Sequence, residues 1–153
     1  MKEKYNKKTY CRDGRAPIPE NEQTSKTMSA IKAKNTKPEL QLRHALWHSG
    51  IRGYRLHWKK APGRPDIAFP GKKIAIFVNG CFWHRCPHCN PSTPKSNVEF
   101  WNEKFRKNVE RDKHKIELLE QNGWRVMTIW ECQLKKDVMM FVPIIQQMLQ
   151  ETI

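Results

Sequence analysis

The chain has 153 residues, enough for one domain with a hydrophobic core and too few for two of ordinary size. Its 29 Lys and Arg outnumber 15 Asp and Glu, and the formal charge of +14 favours nucleic acid as the partner over a membrane surface. The sequence contains no apolar stretch of the ~20 residues that a transmembrane helix needs and no recognisable signal peptide, so we expect a reducing, cytoplasmic compartment.

The first segment, residues 1–24, is polar and basic and shows no hydrophobic period. This composition is typical of a disordered tail, and an arm that follows DNA phosphates is the alternative. A short helix is predicted over residues 25–33, with Met28 and Ile31 on one face. We therefore expect a single folded domain over residues 25–153.

The next helix begins at the capping sequence Thr36-Lys37-Pro38-Glu39 and ends at Gly50. Three strands are predicted after it, at residues 54–58, 66–69 and 74–78. The last of them is apolar throughout, as a central strand is. Residues 79–95 form a loop rich in Cys, His and Pro that contains little to fold around without a ligand.

A second capping sequence, at residues 96–99, opens a long helix that Gly123 ends. A strand over residues 124–130 follows, and then a closing helix over residues 138–149 with Pro143 disturbing its middle. The order is helix, three strands, long helix, strand and helix. It predicts a mixed α/β domain built on a central sheet.

Four cysteines lie where a metal ion would bring them together: Cys81, Cys86 and Cys89 in one loop, and Cys132 after the last strand. Four such ligands complete a tetrahedral zinc site, and His88 is the alternative to Cys89. Because this ligand set leaves no position for water, we expect a structural zinc rather than a catalytic one. Free buried thiols are the other interpretation.

A second group of residues suits metal-assisted phosphodiester cleavage, which needs carboxylates for Mg²⁺ and a group that activates water or protonates the leaving oxygen. Asp66 starts a core strand, and a β-hairpin would bring it close to Val78. Glu39 lies in the first turn of a helix, where capping is its alternative role.

One histidine and one aspartate are further candidates for this chemistry. His84 is a general acid or base, or else a zinc ligand. Asp112 falls on the apolar face of the long helix, where a carboxylate needs a partner such as His84. An ion pair with Arg111 or Lys115 is the alternative.

Several motifs together carry a resemblance to a known family. In chain order they are Lys34-Asn35-Thr36-Lys37-Pro38-Glu39, Pro62-Gly63-Arg64-Pro65-Asp66, Gly80-Cys81-Phe82-Trp83-His84, Glu99-Phe100-Trp101, Trp124-Arg125-Val126 and Trp130-Glu131-Cys132. They resemble the very-short-patch repair endonucleases, and the match is collinear from about Lys26 to Leu134.

The resemblance implies a restriction-endonuclease-like fold of the PD-(D/E)xK type, in which helices flank a central mixed sheet. It also implies a Mg²⁺-dependent nick on the 5′ side of the thymine in a T·G mismatch produced by deamination of 5-methylcytosine. The implied partner is double-stranded DNA containing that mismatch. The enzyme would be a monomer in the bacterial cytoplasm, away from membranes, and functionally coupled to a cytosine-5 DNA methyltransferase.

The resemblance also assigns roles to single residues. Asp66 and the backbone carbonyl of Val78 match the Mg²⁺ ligands. His84 matches the catalytic histidine, Asp112 the acid that orients it, and Glu39 a residue near them.

The implied DNA contacts are apolar. The side chains that wedge into the duplex beside the mismatch are matched by Phe82, Trp83 and Trp101. Met28 and Ile31 match apolar residues of a helix that enters the opposite groove. Unstacking costs less at a mispair, so wedging favours damaged DNA. Packing in the core is the alternative for the three aromatic residues.

Two positions depart from the family pattern. Asn79 replaces a histidine just before the Gly-Cys pair, and the zinc loop has Cys86 where a histidine is usual. Two other functions therefore compete: a catalytically weak, zinc-stabilised DNA-binding module, and a restriction-like nuclease acting on intact duplex. The presence of both Asp66 and His84 disfavours the first, and the aromatic trio disfavours the second.

Overall fold

A computed structural model describes residue 19 and residues 21–151, which form two units divided between Ile31 and Lys32. The first contains helix α1 (Glu22–Ser29), capped by the Asn21 side chain, which accepts a hydrogen bond from the Thr24 N–H at 2.8 Å. The boundaries predicted for this helix are wrong at both ends, because Asn21 supplies an earlier cap. The expectation of a disordered tail falls almost entirely outside the described residues.

The second unit is built on a four-stranded sheet. Its strands are β1 (Arg55–Leu56), β2 (Ile67–Phe69), β3 (Ile74–Asn79) and β4 (Arg125–Trp130). The first three form an antiparallel meander, and β4 pairs with β3 in parallel. The predicted mixed α/β architecture is confirmed. β1 is shorter than the predicted strand because His57 adopts a left-handed backbone conformation, with φ 46°.

Helices cover both faces of this sheet. α4 (Val98–Gln121) packs its buried Leu119 with Ala75 and Phe77 of β3. On the other face, α2 (Lys37–His48) and α6 (Phe141–Gln150) pack against the alternate residues of the same strand. Residues 74–78 of β3 are buried on both faces of the sheet, and all five are apolar. Within residues 21–151, no helix combines the length and apolarity needed to cross a bilayer.

Three local predictions are corrected. The loop after β3 contains a one-turn helix, α3 (Cys81–His84). α4 begins after Asn97 in a left-handed conformation, φ 51°, rather than at a capping box. The helix predicted over residues 138–149 is a 3-10 turn (Val138–Met140) followed by α6, and a further helix, α5 (Glu131–Asp137), precedes it. Pro143 is the third residue of α6, where its missing N–H breaks no helical bond.

One edge of the sheet collects the residues that carry chemistry. β3 and β4 are parallel, so their carboxyl ends meet at the same edge, and β2 runs the opposite way, so its amino end lies there too. Asp66 immediately precedes β2, Gly80 follows β3, and Glu131 follows β4. The topology thus brings together segments that are distant in sequence.

Candidate active site and metal centre

Asp66 is fixed at this edge by the neighbouring strand. The backbone N–H of Val78 donates to Asp66 Oδ2 at 2.8 Å, so the hairpin brings the two residues together as predicted. The N–H and C=O of one strand residue point to the same side, so the Val78 carbonyl also faces the β2 side. Oδ1 of Asp66 remains directed towards His57, at 3.6 Å from Nδ1.

Glu39 caps α2 and also lies in the cluster that contains Asp66. Its carboxylate accepts hydrogen bonds from the Asn35 N–H at 3.0 Å and the Thr36 hydroxyl at 3.2 Å, which fixes the start of α2. Arg43 Nη2 also donates to Glu39 Oε2, at 2.9 Å. The side chain is only 4% exposed. A helix-capping residue therefore also presents a buried carboxylate to the cluster of Glu39, His57 and Asp66, which we call the acidic site.

His57 belongs to the same cluster, and the sequence analysis missed it. Its Nε2 lies 3.4 Å from Glu39 Oε2, and each of Glu39, His57 and Asp66 offers a ligand atom within 4.8 Å of the others. Burial lowers the pKa of His57, against the opposing effect of the Glu39 carboxylate. The strand register explains its position: Leu56 pairs with Ile67, so the residue after β1 lies opposite Asp66.

The imidazole of His84 is held by Asp112. Nδ1 of His84 and Oδ2 of Asp112 are 2.5 Å apart, with both side chains partly buried. Because the carboxylate accepts from Nδ1–H, Nε2 is the ring nitrogen that this pair leaves free. Lys115 Nζ is 4.0 Å from the other Asp112 oxygen, and Arg111 instead donates to Asn108. The geometry favours the His84 pairing over the alternative ion pairs.

The four cysteine Sγ atoms form a second cluster, all within 4.8 Å of one another: Cys81, Cys86, Cys89 and Cys132. The Cys86–Cys132 distance is 3.7 Å, and two sulfurs on a tetrahedral zinc at about 2.3 Å lie about 3.8 Å apart. Backbone N–H groups point at the sulfurs, from His88 to Cys86 at 3.3 Å and from Cys132 to Cys81 at 3.4 Å. Such bonds suit thiolates, so the donor set fits zinc.

The structure separates Cys89 from the alternative ligand His88. Cys89 contributes its sulfur to the cluster, whereas the His88 ring packs edge-on against Trp130, with centroids 6.5 Å apart. His88 contributes its backbone N–H instead. Burial opposes ionisation of Cys86, but the N–H groups of His88 and Cys89 lower its pKa overall.

An aromatic cluster, defined as Phe82, Trp83, Trp101 and Phe105, joins α3 to α4. Phe82 lies 5.2 Å from Trp83 and 5.8 Å from Trp101, between ring centroids. Trp101 is 8% exposed, whereas Phe82 and Trp83 are half-buried. Trp101 is thus a core member of this cluster in the free protein, and its direct contact with DNA stays a prediction.

The two apolar residues predicted for the N-terminal helix lie in the first unit. Met28 is half-buried on α1. Ile31 lies beyond the end of α1, and its side chain is 46% exposed. Their contact with DNA also stays a prediction.

Comparison with known proteins decides the family. The family model of DNA mismatch endonuclease Vsr matches residues 17–90. DNA mismatch endonuclease Vsr of Escherichia coli is 42% identical over 112 residues, which cover 72% of this chain and 70% of that protein. The chain belongs to the Vsr family. Type II nicking enzyme V.XorIIP of Xanthomonas oryzae is 42% identical over 107 residues (70% and 78% of the two chains), and V.NaeI of Lentzea aerocolonigenes is 40% identical over 129 residues (81% and 76%).

Membership of the Vsr family makes this chain a DNA nicking endonuclease. DNA is its substrate, and the predicted restriction-endonuclease-like fold is confirmed. The family match favours a nicking enzyme over the catalytically weak DNA-binding module. The family match also agrees with a site that combines carboxylates, imidazoles and a cysteine cluster at one sheet edge.

The acidic site of this Vsr-family enzyme disfavours negative charge when no metal is bound. Burial raises the pKa of Asp66 to about 6, and the Glu39 carboxylate adds to the rise. The Val78 N–H, Arg43 and His84 act in the opposite direction. A cation at the site would offset the burial of the Asp66 carboxylate and its repulsion by Glu39. The raised pKa of Asp66 therefore fits a metal-binding site.

Asp66→Asn should therefore stabilise the protein in buffer without added divalent ions. The folded state binds the Asp66 proton more tightly than the unfolded chain, so this group contributes stability at low pH and loses it as pH rises through about 6. A rise of about two pKa units corresponds to roughly 3 kcal/mol at pH 8. Asn removes the charge and keeps an acceptor for the Val78 N–H.

Urea unfolding of both proteins between pH 4 and pH 8 tests this expectation. The advantage of Asp66→Asn should be greatest at pH 8 and largely gone near pH 4. Asp137→Asn is the matched control, since Asp137 is exposed and caps the 3-10 turn through an oxygen that Asn retains. If the difference in free energy of unfolding between Asp66→Asn and wild type does not depend on pH, the surroundings of Asp66 do not disfavour its ionised form.

Proposed function

We propose that this enzyme nicks one DNA strand on the 5′ side of the thymine in a T·G mismatch, with Mg²⁺ at the acidic site and zinc at the cysteine cluster. Besides the family, one observation carries the proposal. The four-residue helix α3 holds both half-buried aromatic rings, Phe82 and Trp83, and the candidate catalytic His84. Because the helix is one turn long, the rings and His84 stay at a fixed distance from one another. If the rings enter a base step, His84 is therefore held at a fixed distance from that step, near one phosphate.

The acidic site supplies oxygen ligands of the kind Mg²⁺ prefers. The candidates are Asp66 Oδ1, which the Val78 N–H leaves free, and the Val78 carbonyl on the same side of β3. A bound Mg²⁺ stabilises the negative charge that develops on the phosphate oxygens during cleavage. Glu39 is positioned to bind a ligand of that ion or to hold a water at the site.

We assign His84 the role of general base. Its free Nε2 accepts a proton from the attacking water, whose oxygen forms a bond to phosphorus while the bridging P–O bond breaks. The departing oxygen takes a proton from solvent. Asp112 fixes the Nδ1–H tautomer and stabilises the imidazolium that forms, as the 2.5 Å contact supports.

The zinc role follows from where the cysteines sit. Cys81 begins α3 and Cys132 lies in α5, directly after β4. A tetrahedral ion at this cluster would tie α3 to the sheet edge, since one turn of helix is too short to be stable alone. The zinc is therefore structural, and it holds His84 in place.

Mismatch specificity is tested by nicking of T·G, T·A and C·G duplexes of one sequence, with and without Mg²⁺. The proposal requires Mg²⁺-dependent cleavage of one strand of the T·G duplex well above the other two. Equal nicking of the matched duplexes would support the alternative of a nuclease that acts on intact duplex. Several relatives carry the name "type II nicking enzyme", which does not mention a mismatch.

Trp83→Ala should lower the preference for T·G over T·A binding by roughly tenfold to a hundredfold, because aromatic–base stacking contributes about 1–3 kcal/mol. Only a weak base step opens cheaply enough to accept the ring. Phosphate contacts are the same on both duplexes and cancel in the ratio. Dissociation constants for the two duplexes and the melting temperature of the variant are the measurements.

Trp47→Ala is the control for this variant, because Trp47 is an exposed tryptophan on α2, 56% accessible. Its ratio should equal that of the wild type. If Trp83 is only a core residue, its loss will lower both affinities together and depress the melting temperature, with an unchanged ratio.

A further inference from the structure

We infer that His57 is a nitrogen ligand of the metal ion at the acidic site, which makes the site selective for Mn²⁺ over Mg²⁺. The inference rests on the proposed function for the presence of a metal ion at Asp66. It adds a ligand and a metal preference that an all-oxygen site would lack. The contacts of His57 with its two carboxylate neighbours carry it.

The distance between the His57 ring and the Asp66 carboxylate allows both to bind one ion. Nδ1 of His57 lies 3.6 Å from Oδ1 of Asp66. Two ligand atoms bound to one ion at about 2.1 Å lie about 3 Å apart when adjacent and about 4 Å apart when opposite. The observed spacing is about 0.6 Å longer than that of adjacent ligands, so a small side-chain rotation would bring both atoms onto one ion. Since the Val78 N–H occupies Oδ2 of Asp66, Oδ1 is the oxygen that faces the imidazole.

The backbone places this ring in the site. His57 has a φ of 46°, a region that costs a non-glycine residue free energy and that concentrates at ligand sites. Its N–H donates to the Asp66 carbonyl at 3.1 Å, which ties the two residues together. The side chain is only 16% exposed. A left-handed residue at the end of β1 therefore turns an imidazole inward to Asp66 rather than out to solvent.

The second ring nitrogen has the partner that a metal-bound histidine needs. Ligating histidines donate their other N–H to a carboxylate or carbonyl. Nε2 of His57 lies 3.4 Å from Glu39 Oε2, and Arg43 Nη2 donates to Nε2 at 3.1 Å. Ligation at Nδ1 moves the ring proton to Nε2, with no net gain or loss. Nε2–H then donates to Glu39, and Arg43 gives up its bond to Nε2 while it keeps its bond to that carboxylate.

The ligand set determines the metal preference. Mg²⁺ selects oxygen ligands. Mn²⁺ also suits carboxylate and carbonyl oxygen, but as a first-row transition ion it tolerates an imidazole nitrogen in such a site better than Mg²⁺ does. Mn²⁺ is the weakest of these in the general affinity order, so it is the least able to displace zinc from four thiolates. It is also paramagnetic and reports a coordinated nitrogen directly. Mn²⁺ is therefore the probe for this site.

The experiment uses the full-length, zinc-loaded protein and measures Mn²⁺ and Mg²⁺ dissociation constants by calorimetry, with pulsed electron paramagnetic resonance of bound Mn²⁺. Wild type should bind Mn²⁺ at least about tenfold more tightly than Mg²⁺. His57→Asn should weaken Mn²⁺ binding about tenfold and Mg²⁺ binding far less, and should remove a coordinated-nitrogen coupling. Asn tolerates the left-handed backbone, and His57→Gln is a second variant should Asn perturb folding.

His114→Gln is the control, since His114 is exposed on α4. Suppose that a folded His57 variant keeps the nitrogen coupling and the ratio of Mn²⁺ to Mg²⁺ dissociation constants, while Asp66→Ala abolishes binding of both ions. That result would overturn the role of His57 and leave the metal site of the proposed function standing. If Asp66→Ala leaves Mn²⁺ binding intact, the metal site of the proposed function fails as well. The two failures are thus distinguishable without an activity measurement.

Discussion

Asp66→Ala should reduce Mg²⁺-dependent nicking of a T·G duplex by at least about 10³-fold, while the dissociation constant for that duplex stays within about threefold of wild type. A catalytic metal contributes several kcal/mol to the transition state, and each 1.36 kcal/mol is tenfold in rate. Asp66 carries the one carboxylate oxygen that the Val78 N–H leaves free at the site. The side chains proposed to contact DNA are the half-buried rings of α3, which the substitution of Asp66 leaves unchanged. Binding of the duplex should therefore be retained. Single-turnover nicking and binding on the same duplex measure both quantities.

Loss of folding is excluded as the cause by the companion variant. Asp66→Asn removes the metal-binding charge but should be more stable than wild type at pH 8, because the buried carboxylate has a pKa raised to about 6. An inactive variant that melts at a higher temperature than wild type has lost a catalytic group. Asp137→Asn, on the exposed 3-10 turn, should keep full activity. Nicking by Asp66→Ala within tenfold of wild type would contradict the assignment.

Much of this site could be predicted from the sequence because its parts are fixed by local patterns. The continuous apolar run at β3 predicts a central strand, and the hairpin before it predicts that Asp66 meets Val78. The cysteine spacing predicts the four-sulfur cluster. These patterns depend on strand period, turn position and ligand chemistry, which are all visible along the chain.

His57 could not be found in that way, since its role depends on a strand register and a left-handed φ. The alternating pattern of residues 54–58 predicts a strand that continues past Leu56, where β1 ends. The left-handed turn at His57 can be located only when the pairing of β1 with β2 is known. The burial of Trp101 is a tertiary property too. Its neighbours Phe82 and Trp83 come from a helix that the loop's composition does not predict, so the sequence cannot tell which ring is outermost.

α5 escaped prediction for a related reason. It spans seven residues with a single fully buried side chain, Leu134, which is too short to show a helical period. Yet α5 holds Cys132, and the N–H of that residue donates to Cys81 Sγ. The cysteine cluster therefore links two helices, α3 and α5, that are each too short to be stable alone. The proposed zinc site thus makes the placement of His84 depend on an ion and not only on the hydrophobic core.

The cysteine cluster should consequently be required for folding of this edge. Cys132→Ala is expected to lose zinc and to lower the melting temperature sharply or unfold the domain, because binding of structural zinc contributes about 10 kcal/mol or more, comparable to the stability of a whole domain. One equivalent of zinc should co-purify with the wild type, as measured by atomic emission. Folded protein without zinc would end the proposal.

The pair Cys89→Ala and His88→Ala separates the two candidate ligands. Cys89→Ala should lose zinc as Cys132→Ala does, since its sulfur lies in the cluster. His88→Ala should retain one equivalent, because the bond from its backbone N–H to Cys86 survives the substitution and its ring packs on Trp130. His88→Ala should also keep nicking activity, since α3 and His84 remain in place. Zinc loss in His88→Ala with zinc retained in Cys89→Ala would reverse the ligand assignment. It would leave intact the dependence of α3 on the metal, because Cys81 and Cys132 belong to the ligand set in either case.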